Sequence, residues 1–340
     1  MIARLFKVLL FGLVLSVGQA ARAETTLKIA TIVPEGSQWM KSMRAGAEQI
    51  ESRTEGRVKF KFYTGGVMGS DNQVRRKMRI GQLHGGVFSS GSLGEFQKDA
   101  ILYGLPLLFE STDEVHYVRK RMDGILQRRL EDAGYVSFGF AGGGFAYLLS
   151  NDPISSLADM KSMKIWIPEG DKVALRASET LGIAPVTLPL TDVLAGLQTD
   201  LIDSVMGPPV GVIVMQWQTV VKYITDLPIA YSYGALLVDK KVFSRISAAD
   251  QSIVREIMEG IYREFDASNE KDNRSAFQAL QDEGLQLVEL QPGQAKLWRS
   301  KLNASNHTAA QEGVYDLALL EEVQCYLAAY RSQAEPHCGE

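Results

Sequence analysis

Short β-branched or aromatic runs alternate with segments whose apolar residues fall at helical spacing, and this alternation restricts the chain to layered α/β architectures with parallel strands. Residues 27–33 read as a strand that Pro34-Glu35-Gly36-Ser37 ends; Met40, Met43, Ala47 and Ile50 then recur on one helix face, with Ser37 placed as N-cap. Val58, Phe60 and Phe62 alternate with Lys59 and Lys61 as a second strand. Gly65-Gly66 turns the chain into a helix beginning near Ser70 or Asp71, with Val74 and Met78 on one face, and Val87-Phe88 resumes strand character. A second series of such units follows Gly142-Gly143-Gly144, with strands expected at 147–149, 164–167 and 185–188, and strand character returns at 234–238.

The breaks near 145 and 235 read as crossings between two domains. The expected division is 24–145 with 235–275 as a first lobe, 146–234 with 276–330 as a second, and 331–340 as a tail. Beyond Ser247, which has capping-box spacing with Asp250, the apolar residues Ile253, Ile257, Ile261 and Phe265 recur every fourth position and the pattern continues to about 284. One helix of that length would span roughly 45 Å or more and lie along both lobes; two helices broken around 269–273 fit the pattern nearly as well.

Residues 1–23 have the form of a cleaved secretory signal: Arg4 and Lys7 precede a short apolar run, and Ala21-Arg22-Ala23 supplies small residues for cleavage. The run is too short for a membrane span, which needs about 20 apolar residues. Without the three basic residues of that leader, 33 basic face 40 acidic side chains, a balance of about −7. No basic block offers a phosphate stripe, so nucleic acid is not an expected partner. In an exported chain Cys325 and Cys338 can pair across the C-terminal segment, with two free or intermolecular thiols as the alternative.

Enzyme signatures are thin. The chain has no P-loop, no dinucleotide fingerprint, no nucleophile elbow and no H-E-x-x-H, and His84, His116, His307 and His337 are scattered without partners at ligand or triad spacing. Neither a cofactor nor a metal is expected. Two lobes with strand-end loops between them describe a cleft that closes by hinge motion around a small-molecule ligand.

A family resemblance extends this over nearly all of the chain after residue 23. LKIAT near the start, AEQIESRTEGRVKFKFYTGG at 47–66, GQLHGG at 81–86, GLPLLF at 104–109, SNDPISSLADMKSMKIWIP at 150–168, LGIAPVTLPLTDVLAGLQTDLID at 181–203 and Pro208-Pro209 occur in order. In this the chain resembles the solute-binding receptors of tripartite ATP-independent periplasmic (TRAP) transporters, of the DctP-like kind. The resemblance implies a periplasmic binding protein-like α/β fold of two lobes, a non-enzymatic receptor in the periplasm, and delivery of a solute to small and large integral membrane subunits. A tetratricopeptide-repeat helper is a further partner suggested by analogy with lipoprotein-associated relatives.

The departures from the family pattern redirect the expected cargo. Where the family carries an arginine that forks onto a ligand carboxylate, this chain has Trp166; where related receptors carry a second arginine, an acidic or polar residue and an asparagine, it has Ala146, Ser89 and Gly207. A carboxylate buried without a partner costs several kcal/mol. The expectation is therefore a hydrophobic or amphipathic ligand, lined by Trp39, Phe88, Phe145, Tyr147, Trp166, Leu190, Met206 and Trp217. Each of these aromatic and apolar residues has core packing as its plainer reading. Glu35, Glu169, Asp171 and Arg176 are candidate polar contacts that are more often solvated charges, and Arg176 is the residue that could restore an anion site. Rival readings are an organic acid held by other cations and a periplasmic enzyme on the same fold.

Overall fold

Leu27 and Ile29 on strand β1 (Thr25–Ala30) are fully buried and face Met40, Met43 and Ile50 of helix α1 (Gln38–Arg53), so the first strand-loop-helix unit forms as its periodicity requires. Ser37 Oγ accepts the Met40 N–H at 3.2 Å and caps that helix. The structure, a computed structural model, describes residues 24–338; the expected leader at 1–23 lies outside them.

Strand β2 (Val58–Tyr63) runs parallel to β1, and β3 (Gly85–Ser89), which follows helix α2 (Asp71–Arg79), pairs parallel on its other side. Helix α3 (Thr112–Asp132) precedes β4 (Tyr135–Ser137) and the long β5 (Ala141–Ser150). In the second lobe β6 (Trp166–Pro168) and β7 (Val186–Leu188) flank helix α4 (Lys172–Leu181) and pair parallel, while β8 (Ser204–Gly207) and β9 (Tyr223–Thr225) pair antiparallel with β5. Strand β10 (Ala230–Asp239) returns antiparallel to β5, β3 and β4. Helix α5 (Ala248–Asp282), β11 (Gln286–Val288), helix α6 (Gln294–Gln311) and helix α7 (Leu317–Ser332) complete the chain.

The two 10-residue strands β5 and β10 join the lobes. Each pairs with first-lobe strands or with its crossing partner along one part, and β5 goes on to pair with β8 and β9 of the second lobe. Two lobes and their crossings thus share one continuous sheet, in the order β11-β9-β5-β10-β3-β1-β2.

Helix α5 is a single helix of 35 residues, about 52 Å long, and does not break at 269–273. Its Ile257, Met258 and Ile261 pack in the first-lobe core with Leu27 and Met43, and its Leu280 packs in the second-lobe core with Leu149 and Val205. The polar stretch that reads as a break in the sequence is a seam. Asp266 accepts the Gly142 N–H at 2.8 Å, Asn269 donates to the Gly142 carbonyl, and Asn273 donates to the Gly143 carbonyl at 2.9 Å. These three residues fall on one helix face and hold the crossing strand by its backbone. Gly144 has φ of 89°, and a Cβ there would meet the Asn273 amide, so the glycine run is needed for this contact. Arg119 of α3 locks the same junction, donating to Asp266 and Asp123 and to the Phe140 carbonyl at 2.7 Å.

Helix α7 packs Leu320, Val323 and Leu327 into the first-lobe core with Val118, Met122 and Leu126 of α3. The last helix therefore sits on the first lobe, against the expectation that all of 276–330 belongs to the second. Cys325 and Cys338 are joined, with 2.00 Å between the sulfurs, and pin the tail to this helix.

Candidate functional site

A cavity of about 380 Å³ opens between the lobes where β5 and β10 cross. The first lobe contributes the β1 loop from Ile32 to Pro34, the start of α2 at Ser70 and Asp71, and the turn from Ser89 to Ser92. The second lobe contributes β6, the α4 face with Val173, Ala174, Ala177, Ser178 and Leu181, and Leu190, Met206, Gly207, Met215 and Trp217. The cavity extends into the second lobe as far as Met160, Ile165, Ile183, Trp298 and Leu302, all five of which are also members of one hydrophobic core cluster.

Trp166 is only 3% exposed and forms part of the wall. Its indole N–H donates to the Leu188 carbonyl at 3.0 Å, so the ring is anchored to β7, and it meets Trp217 edge to face with centroids 5.5 Å apart. Gly207 permits this arrangement, because a Cβ there would touch the Trp217 ring. The buried Trp217 N–H has no partner among the described residues.

Of the sequence candidates, Ser89, Ala146, Trp166, Leu190, Met206, Gly207 and Trp217 line the cavity together with Glu169 and Asp171. Trp39, Phe88, Phe145, Tyr147, Arg176 and Glu35 do not. Strand alternation accounts for three of these. On β3 Ser89 faces the cavity, so Phe88 points into the first-lobe core against Phe96, 4.4 Å between centroids. On β5 Ala146 and Leu148 face the cavity, so Phe145 turns to Tyr231 and Tyr147 to Phe277.

Trp39 stacks on Phe265 of the long helix instead. Arg176 lies off the α4 stripe that faces the cavity and pairs with Glu312. Glu35 is exposed and forms an ion pair with Arg44 at 2.6 Å.

The sequence reading missed Asp71, Ser92, Met160, Ile183, Tyr231 and Trp298. Asp71 was legible only as a helix start, and Trp298 reaches the wall from a helix more than 100 residues further on than β6. Neither position carries a local pattern that separates it from surface or core.

The charge on the wall has one sign. Among the described residues no arginine, lysine or histidine lines the cavity, while Asp71, Glu169 and Asp171 do. Burial pushes the Asp71 and Asp171 carboxyls above their ordinary range, and pushes the Tyr231 phenol up to about 12. The Asp171 side chain is enclosed by protein yet partly open to the cavity, which reconciles its strong desolvation with its intermediate exposure. The lobes meet over this space: Lys172 of α4 pairs with Glu95 of the first lobe at 3.0 Å, and Thr191 lies against Gly66.

The family model for bacterial extracellular solute-binding protein family 7, DctP, matches residues 29–312. The chain belongs to this family. It is 23% identical over 290 residues to the C4-dicarboxylate-binding periplasmic protein DctP of Rhodobacter capsulatus, covering 84% of this chain and 86% of that one. It is 21% identical over 260 residues to the sialic acid-binding periplasmic protein SiaP of Vibrio cholerae, covering 75% and 80%. A TRAP periplasmic solute binding protein of Desulfovibrio salexigens, solved with bound orotic acid, superposes with a TM-score of 0.81 at 19% identity over 90% of this chain and 99% of that one. The chain is thus a TRAP solute-binding protein, of a family that is periplasmic, works with membrane subunits and consists of transport receptors rather than enzymes. No helix among the described residues is long and apolar enough to cross a membrane.

Proposed function

We propose that this TRAP receptor binds a hydrophobic or amphipathic solute and delivers it to the small and large membrane subunits of its system. The observation that supports this reading is the wall itself: apolar over most of its surface, continuous with the second-lobe core, and without a cationic side chain among the described residues. The relatives named above are described with C4-dicarboxylate, sialic acid and orotic acid, all of them acids. An ionised carboxylate in this cavity would face Asp71, Glu169 and Asp171 with no guanidinium to receive it, at a cost of several kcal/mol.

Cations on the elements flanking the wall are paired with carboxylates. Arg119 is held by Asp123 and Asp266, Arg176 by Glu312, and Lys172 and Arg75 by Glu95. An apolar solute needs none of them. Burying about 200 Å² of its surface would contribute about 5 kcal/mol, and a few hydrogen bonds would bring affinity to the micromolar range near −8 kcal/mol.

Such a cargo partitions into membranes, which gives a periplasmic tetratricopeptide-repeat helper a physical use in shielding it during transfer. Removal of residues 1–23 on export belongs to the same reading and is tested by N-terminal sequencing. The cargo is tested by native mass spectrometry of receptor taken from its own periplasm. A co-purifying apolar or amphipathic mass is expected; a small organic acid would contradict the reading.

A further inference from the structure

An apolar body leaves its polar end undetermined, and here the wall is informative. Its ionisable side chains among the described residues are Asp71, Glu169, Asp171 and Tyr231, every one an acid. Two of them come from opposite lobes and converge on one turn. Asp71, in the first turn of α2, accepts from Ser89 Oγ at 3.4 Å and also takes hydrogen bonds from the Ser89 backbone and the Ser92 hydroxyl. Asp171, the N-cap of α4, accepts the Ala174 N–H at 2.9 Å, and its carboxylate lies over Gly91, where any side chain would collide with it.

Hydroxyls and amides replace only part of the water these carboxylates lose. Among the described residues neither carboxylate forms a salt bridge, and the charge of Glu169 adds to the rise of Asp71. Enclosed carboxylates on both sides of the cleft, with no salt bridge and no cation in the lining among the described residues, are a site for a donor that brings its own positive charge. A metal ion fits poorly, since the described residues hold no group of three or more His, Cys, Asp or Glu able to hold one. A hydroxyl has one proton to donate and cannot serve both lobes, whereas an ammonium has three and forms charge-assisted bonds of roughly twice the neutral strength. The Trp166 and Trp217 rings in the same wall suit an apolar body with a cation at its end.

We propose that the solute is an apolar amine whose ammonium group bridges Asp71 of the first lobe and Asp171 of the second, with its body in the second-lobe pocket between Trp166, Ile183 and Trp298. This rests on the apolar-cargo reading and adds the head group to it.

The test uses octylamine, octan-1-ol and octanoate, which share one chain and differ in the head, titrated calorimetrically into the full receptor and into D71N and D171N. Asparagine keeps the N-cap at 171, and melting curves check that each variant folds. Octylamine is expected to bind at least about 30-fold more tightly than octan-1-ol, with octanoate weakest. Each variant is expected to lose about 10-fold or more for octylamine and to stay within about twofold for octan-1-ol. Octan-1-ol binding as tightly as octylamine would overturn the ammonium and leave the apolar cargo standing. Octanoate binding tightest, or none of the three binding, would overturn both. Equal losses for amine and alcohol in a folded variant would overturn the bridge and mark these carboxylates as structural.

Discussion

The indole N–H of Trp166 donates to the Leu188 carbonyl at 3.0 Å, so this side chain of the cavity wall spends its one polar group on the neighbouring strand. What it leaves for the cavity is ring surface. Trp166→Phe should keep most of that surface and cost only about 0.5–1.5 kcal/mol in urea unfolding, because the Glu169 N–H still reaches the Leu188 carbonyl at 3.1 Å. Trp166→Ala should cost about 3–5 kcal/mol and weaken binding of an apolar solute at least tenfold. Unchanged solute affinity in a folded Trp166→Ala receptor would show that the ring is core alone.

The junction between lobes depends on a buried cation. Arg119 is 4% exposed and holds Asp123, Asp266 and the Phe140 carbonyl at once. Arg119→Ala would leave Asp123 and Asp266 without their shared cation, and a loss of about 3–5 kcal/mol in chemical denaturation is expected. Asn273→Ala, which releases the Gly143 carbonyl and the Val210 N–H, should cost about 1–3 kcal/mol. Losses below about 0.5 kcal/mol in both variants would show that the seam on the long helix is not structural.

Burial raises Asp71 and Asp171 above the ordinary aspartate range, so the folded receptor binds these two protons more tightly than the unfolded chain does. With more protons on the native state, their contribution to stability is most favourable below the unfolded pKa and falls as pH rises through the folded values. The D71N/D171N double variant lacks this contribution. Its melting temperature relative to the parent should therefore climb as pH is raised from about 4 to about 7. A difference that is flat or declines with pH would contradict the burial argument.

The disulfide between Cys325 and Cys338 closes a 13-residue separation that starts in the middle of α7, the helix that packs on α3. Cys325→Ser should lower stability by at most about 3 kcal/mol, because the cross-link restricts only a short loop of the unfolded chain. Equal unfolding midpoints for the oxidised and reduced receptor would show that the tail frays independently of the fold.

Much of the architecture was legible because periodicity is local. Leu27 and Ile29 on a strand, Met40 and Met43 on a helix and Ser37 between them are read within 20 residues of one another, and the same holds for the second lobe's units. The site was legible in part, at Trp166, Ala146, Ser89 and Gly207 by comparison with the family pattern and at Leu190, Met206 and Trp217 as apolar candidates. Phe88, Phe145 and Tyr147 were misplaced by one step of strand alternation, which residue type does not reveal. The polar run Asn269 to Asn273 read as a break because its partners, the backbone groups of Gly142 and Gly143, lie more than 120 residues away. The acidic wall could not be read ahead of the fold, since Asp71 and Asp171 become neighbours of one turn only when the lobes come together.

The most direct test of a cavity without cations is calorimetric titration of the ligand-free receptor with succinate, N-acetylneuraminate and orotate at about pH 7. The wall predicts no saturable heat up to about 1 mM of any of them, corresponding to binding weaker than about −4 kcal/mol. Micromolar binding of any one of these acids would contradict it.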